Sequence, residues 1–282
     1  MRFATVEYQG KTFVATVDKT GEIVTPVSVG DINAVFRGER CEPKGQPIAL
    51  KSVKLKAPIP LPLRNIMCVG KNYHEHAREF SASGFDSSST GAADAIPTAP
   101  IIFTKVPQSV IGPDEPIRYP TGVSEQLDYE AELAVIIGQG GRGIAKSDAL
   151  GHVWGYTIIN DVTARDLQAR HKQWFLGKSM DSFAPMGPWC VTADEVDLAT
   201  AGIRCWVNGE LRQDAKIADL IFDIPTLIST VSAGITLMPG DIIATGTPAG
   251  VGIGFKPPRF LKQGDVIAME VDGIGRLSNP VR

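Results

Sequence analysis

The amino-acid sequence predicts an α+β protein that is mostly β, with a small β-rich N-terminal domain over residues 1–60 and a larger domain over 61–282. Three observations carry this. Leu127 to Gly138 alternates apolar odd positions (Leu127, Tyr129, Leu133, Val135, Ile137) with Asp128, Glu130 and Glu132, the period of a strand with one buried face. The first 60 residues hold short strand-like runs with turn chemistry between them and end in the proline-spaced Ala57-Pro58-Ile59-Pro60-Leu61-Pro62, which resists helix and central strand and reads as a stiff linker. The last third contains Asn208-Gly209, the strongest short hairpin signal in the chain, and a repeated turn-and-strand unit.

Composition bounds the functional class. With 282 residues, 43% hydrophobic and 21% charged, the chain has ample material for a large core. A net charge of -3 offers no general basic surface for nucleic acid or an anionic membrane. Cys41, Cys68, Cys190 and Cys205 are too scattered for a C-x-x-C metal site or a disulfide framework. The N-terminus lacks the apolar core of a signal peptide and no run reaches the ~18 apolar residues of a membrane span. The expectation is a cytoplasmic protein with reduced thiols.

In chain order, Phe3–Tyr8 and Thr12–Val17 read as strands joined by Gln9-Gly10-Lys11, with a second turn at Asp18-Lys19-Thr20-Gly21. Asn65–Gly70 reads as a buried strand. Asn72 is a plausible cap for the helix that follows, which puts His76 and Glu79 three apart on one face. A carboxylate that fixes the tautomer makes a histidine a general base, although the same pair also suits a charged surface helix. Ser81–Thr98, poor in apolar residues, reads as an exposed loop, either a lid or simple disorder. Pro100–Thr104 returns to a buried strand.

Val153–Ile159 is a buried strand that runs into Asn160-Asp161 and a short helix over Val162–Arg170, with Arg165 and Gln168 on one face. Asp161 is a ligand candidate or a helix cap. Lys178 lies in apolar company and, if buried, needs an anionic partner; reaching out to solvent is the alternative. Asp219–Ser232 has a helical period. Leu237-Met238-Pro239-Gly240-Asp241-Ile242-Ile243-Ala244 returns 24 residues later as Leu261-Lys262-Gln263-Gly264-Asp265-Val266-Ile267-Ala268, which implies two similarly built units of a curved β structure. Thr245–Gly252 between them is glycine-rich and could approach a small anion, but it lacks the lysine and spacing of a phosphate loop, and a tight turn is its default reading.

Glu130 and Glu132, roughly 6–7 Å apart on a strand, form with Asp161 a set of oxygen ligands suited to Mg²⁺ or Mn²⁺, with Ca²⁺ also within range. Asp128, Glu130 and Glu132 equally fit the solvated face of an edge strand. If they do hold an ion, Lys178 brings the local charge to zero, and the remaining coordination positions suit a chelating 2-oxo acid whose enolate the metal stabilises.

These motifs resemble the fumarylacetoacetate hydrolase superfamily over roughly Asn65 to Arg282. The likeness rests on Val69-Gly70-Lys71-Asn72-Tyr73 with His76 and Glu79, Asp128–Leu133, Asn160–Asp166, Gly177-Lys178-Ser179, Pro185–Trp189, Asn208-Gly209-Glu210 and Gly240–Pro248. The resemblance implies a mixed β-roll catalytic domain, usually homodimeric, with Mg²⁺ or Mn²⁺ on Glu130, Glu132 and Asp161. It implies His76 and Glu79 as a water-activating dyad and Lys178 at the keto or enolate oxygen, with Arg165, Gln168, Thr247, Gly246 and Tyr73 as substrate-binding residues. The eukaryotic hydrolases add an acid ligand just before the histidine; Asn72 and Tyr73 stand there instead, which points to the acylpyruvate hydrolase-like branch. The expected activity is metal-dependent hydrolysis of a carbon–carbon bond in a 2,4-dioxo acid such as fumarylpyruvate. Decarboxylation of oxaloacetate and isomerisation or hydration of 2-hydroxydienoates are the enzymatic alternatives; a non-catalytic metal-stabilised binding protein is the alternative of another class.

Overall fold

A computed structural model describes residues 1–86 and 95–282. The chain opens with strands β1 (Arg2–Tyr8), β2 (Lys11–Val17) and β3 (Ile23–Pro26), then α1 (Ile32–Phe36), β4 (Ile48–Ala49) and β5 (Lys54–Leu55). Next come β6 (Ile66–Gly70), α2 (His74–Ala82), β7 (Ile101–Lys105) and β8 (Val110–Ile111). The middle of the chain forms β9 (Leu127–Asp128), β10 (Ala131–Ile137), β11 (Val153–Asn160), β12 (Thr163–Ala164), α3 (Arg165–His171), α4 (Phe175–Lys178) and β13 (Ala184–Thr192). It ends with β14 (Gly202–Val207), β15 (Glu210–Lys216), α5 (Ile224–Ser232), β16 (Ile242–Ala244), β17 (Val266–Val271) and β18 (Gly275–Pro280).

A large mixed sheet in the order β4-β3-β2-β1-β13-β11-β10-β16-β6-β7 faces a four-stranded sheet in the order β15-β14-β17-β18. The β10–β11 and β10–β16 pairs are antiparallel, whereas β16 runs parallel to β6. The mostly β, α+β fold is therefore the one the sequence predicts. The proposed division near residue 60 falls inside a continuous sheet, since Arg2 and Phe3 pair with Val191 and Cys190, and Ile59 is fully buried.

β10 sits where the two layers meet, and this changes its character. Leu133, Val135 and Ile137 join the core shared with Ile203, Cys205, Ile267 and Met269 of the four-stranded sheet. Ala134 and Ile136 pack the opposite way, with Phe3, Phe36 and Ile242. Both faces are buried, so Glu130 and Glu132 point into the interior rather than into solvent. Each large aliphatic side chain buried there contributes roughly 1.5–3 kcal/mol, which holds the acids where they are.

Local signals map onto turns. Gln9 (φ 50°) with Gly10 (φ 74°), and Asn208 (φ 51°) with Gly209 (φ 82°), take the left-handed conformations of a two-residue hairpin. The sequence echo is a structural echo. Asp241 accepts from the Met238 N–H at 2.7 Å and Asp265 accepts from the Lys262 N–H at 2.7 Å, each turn leading into a strand.

Three helix expectations shift. α3 begins at Arg165 because Thr163 and Ala164 pair with Asp128 and Leu127. α5 begins at Ile224, where Pro225 occupies the first turn and Asp223 accepts from Thr226 N–H at 2.9 Å. Asn72 is not a helix cap. Its Nδ2 donates to Phe222 O at 3.1 Å and Thr245 O at 2.7 Å, and its Oδ1 accepts from Phe222 N–H at 2.8 Å, so it ties the start of α2 to the chain just before α5 and just after β16. Asn72→Ala leaves these three backbone groups unpaired, with an expected loss of about 3 kcal/mol in urea unfolding; a change below about 0.5 kcal/mol would show that water replaces the side chain.

Candidate active site

The β10–β11 register builds the centre. Ala131 pairs with Asn160, and Asp161 N–H donates to Glu130 O at 2.9 Å, so Glu130 and Asp161 stand opposite each other while Glu132 lies two residues along the same face. Glu130, Glu132 and Asp161 are buried, with carboxylate oxygens within 4.8 Å of one another. Lys178 Nζ reaches Glu130 Oε2 at 2.8 Å and Asp161 Oδ2 at 2.7 Å. Its alternative of reaching solvent is not taken. Asp161 is likewise no helix cap: its second oxygen accepts from Lys105 Nζ at 2.6 Å.

Asp128 leaves the group. Its carboxylate takes the Arg165 Nε–H at 2.9 Å and the N–H groups of Gly252 and Ile253 at 2.7 and 3.1 Å. Arg165 in turn reaches Glu130 Oε1 at 2.7 Å and donates to Gln168 Oε1 at 3.1 Å. One Arg165 nitrogen, Nη2, is buried without a hydrogen-bond partner among the described residues.

The electrostatics separate the acids. Burial raises Glu130, yet Lys178 and Arg165 overcome it and bring it down to about 2. Burial, then Asp161 and Glu130, push Glu132 well above the usual carboxylate range. Burial lowers Lys105 against the pull of Asp161, whereas Asp161 and Glu130 outweigh burial and raise Lys178. Glu132 accepts Gly246 N–H at 2.8 Å and has no ion-pair partner among the described residues. An all-oxygen trio with one uncompensated member fits a hard divalent cation. Asp128, Glu130, Glu132 and Asp161 against Lys105, Arg165 and Lys178 leave one negative charge; a divalent ion makes it one positive charge, which suits an anionic ligand.

His76, Lys71, Phe80, Phe103, Glu130, Arg165, Gln168, Trp174, Lys178 and Thr247 line a cavity of about 10 Å³, the room of one water or ion. His76 Nδ1 lies 3.2 Å from Glu79 Oε2. Thr247 is held by Gln213, whose Nε2 donates to Thr247 Oγ1 at 2.7 Å. Gly246 spends its N–H on Glu132, and Tyr73 has a buried hydroxyl without a partner among the described residues; neither lines the cavity. Ser81 and Ala82 close α2, and Lys71 Nζ meets Asp86 at 2.8 Å. Of the expected loop Ser81–Thr98, residues 87–94 lie outside the described residues. Sequence reasoning missed Lys105 and Gln213. A lysine ending the apolar run Ile101–Lys105 was a signal for the first; Gln213 had none.

A buried carboxylate trio beside a cavity lined by Glu130, Arg165 and Lys178, in a two-layer β fold, defines a candidate metal-dependent enzyme. Residues 65–282 match the fumarylacetoacetate hydrolase C-terminal family, and the chain belongs to that family. It is 51% identical over 234 residues to the oxaloacetate tautomerase YisK of Bacillus subtilis, covering 83% of this chain and 74% of that protein. Its fold superposes on a fumarylacetoacetate hydrolase from Exiguobacterium antarcticum with a TM-score of 0.86 at 42% identity, over 100% of this chain and 99% of the other. A 2-hydroxyhepta-2,4-diene-1,7-dioate isomerase from Mycobacterium marinum superposes with a TM-score of 0.81 at 33% identity, over 100% and 98%.

A raised carboxyl holds its proton more tightly folded than unfolded, so its burial costs stability as pH rises above the ordinary carboxylate range. In metal-free protein, Glu132→Gln should therefore raise the unfolding temperature by about 2 °C or more near neutral pH, and by less in acid. Calorimetric titration with Mn²⁺ should show binding lost. An unfolding temperature below the parent's would mean Glu132 is not an uncompensated charge.

Proposed function

We propose that this chain interconverts the keto and enol forms of a small 2-oxo dicarboxylic acid of the oxaloacetate kind, by proton transfer at C3. The observation that carries the reading is one cavity lined by a carboxylate-held imidazole, a buried ammonium and an arginine with one buried nitrogen that has no partner among the described residues. The name of the Bacillus relative supports oxaloacetate as the substrate.

Arg165 Nη2, with Gln168 and Thr247, binds a substrate carboxylate. His76, oriented by Glu79, takes a proton from C3 of the keto form. The C–H electron pair becomes the C2–C3 double bond and negative charge gathers on the 2-oxygen, beside Lys178; protonation of that oxygen completes the enol. The reverse steps regenerate the ketone, and nothing else is consumed. Phe80, Phe103 and Trp174 keep water from the intermediate. A divalent ion, Mg²⁺ or Mn²⁺, held by Glu130, Glu132 and Asp161 would supply Lewis-acid stabilisation of the developing charge. A homodimer and a cytoplasmic site of action belong to the same proposal; free cysteines and the lack of a membrane-crossing helix among the described residues are compatible with it.

Hydrolysis of a 2,4-dioxo acid, in which the same dyad activates water, is the second reading, supported by the solved hydrolase of this fold. The names of the Bacillus relative and of the Mycobacterium isomerase support enol chemistry without hydrolysis. Assayed with Mg²⁺ or Mn²⁺, oxaloacetate should tautomerise faster with no release of CO₂. His76→Ala and Lys178→Met should each slow this by about 10²–10⁴-fold, with Mn²⁺ binding retained in His76→Ala. Pyruvate released from an acylpyruvate, with oxaloacetate left at its uncatalysed rate, would replace this reading by the second.

A further inference from the structure

Gly254 is glycine without needing to be for its backbone, since its φ lies outside the left-handed range. What excludes a side chain there is Glu79. A Cβ on Gly254 would stand 1.7 Å from Glu79 Oε1 and 2.2 Å from its Cδ. Four residues earlier, Gly250 (φ +100°) turns its N–H toward the same carboxylate, at 3.1 Å from Oε1 and 3.3 Å from Oε2. Phe80, Trp174, Val251 and Ile253 form the apolar cluster around this contact. The Glu79 carboxylate thus has a donor on one side, a wall without a side chain on another, and His76 Nδ1 on the third.

We infer that Gly250 and Gly254 form a receptacle for the Glu79 carboxylate and, through it, fix the His76 imidazole for proton transfer. Both are positioning residues, since neither is placed against substrate. The inference rests on His76 being the base. The receptacle itself is a separate claim about packing and is tested separately.

The atom that an added methyl would meet is the end of a flexible side chain, so Gly254→Ala should fold with Glu79 swung aside. Glu79 then loses the Gly250 N–H and His76 together. For tautomerisation of oxaloacetate, kcat should fall at least tenfold with KM within about twofold, because the His76 imidazole is no longer held for proton transfer. Mn²⁺ affinity, read by calorimetry, should not change. Shortening the acid in the same chain, with Gly254→Ala plus Glu79→Asp, should recover part of kcat. In a double-mutant cycle with Glu79→Ala, Gly254→Ala should add nothing to the loss of rate or to the change in unfolding temperature.

Wild-type kcat in Gly254→Ala would overturn the inference, as would losses that multiply in the Glu79→Ala background. If Gly254→Ala alone does not fold, Glu79→Ala with Gly254→Ala should fold as Glu79→Ala does, and its failure to do so would also overturn the receptacle. Coupled unfolding temperatures in a parent that does not tautomerise oxaloacetate would uphold the receptacle while refuting the proposed function.

Discussion

Buried charge is the constraint on which the rest of this structure depends. Carboxylates inside a protein are tolerated only when paired or placed on a cation. Here Lys178, Lys105 and Arg165 take up Glu130 and Asp161, and among the described residues Glu132 is left with a single backbone N–H. That imbalance is why a hard cation fits the centre. The strand that carries Glu132 and begins just after Glu130 is packed on both faces, and both acids are buried.

The glycine-rich segment after β16 is organised by the same need. In sequence it reads as a tight turn by default, with a backbone able to approach a small anion, and the anions it meets are the protein's own. Gly246 donates to Glu132, Gly250 to Glu79, and Gly252 with Ile253 to Asp128. One loop therefore positions a candidate metal ligand, the partner of His76 and the partner of Arg165. Peptide N–H groups suit this because they add partial positive charge without adding an ionisable group.

Charge also connects the site to its chemistry. An enolate is a diffuse anion, and a cavity that becomes net positive with a divalent ion stabilises it more than the neutral ketone. Tautomerisation, decarboxylation and carbon–carbon hydrolysis all pass through such an enolate, which explains how one family houses several reactions. What distinguishes them is where a proton or water can stand.

Much of this was legible before any coordinates. Strand periodicity marked Glu130 and Glu132 as sharing a face, the i,i+3 spacing put His76 beside Glu79, and the echoed segments proved to be the same Asp-closed turn. These are local matters, set by residues within a turn or two of each other. Tertiary structure alone decided the rest. Asp128 alternates in sequence with the metal-type acids but is drawn off by Arg165 and a loop more than a hundred residues away, Asn72 bridges two distant backbone segments instead of capping its helix, and Lys105 reaches Asp161 across the sheet. Periodicity says which way a side chain points; what waits for it there depends on how distant strands pair, and burial makes that pairing the larger energy.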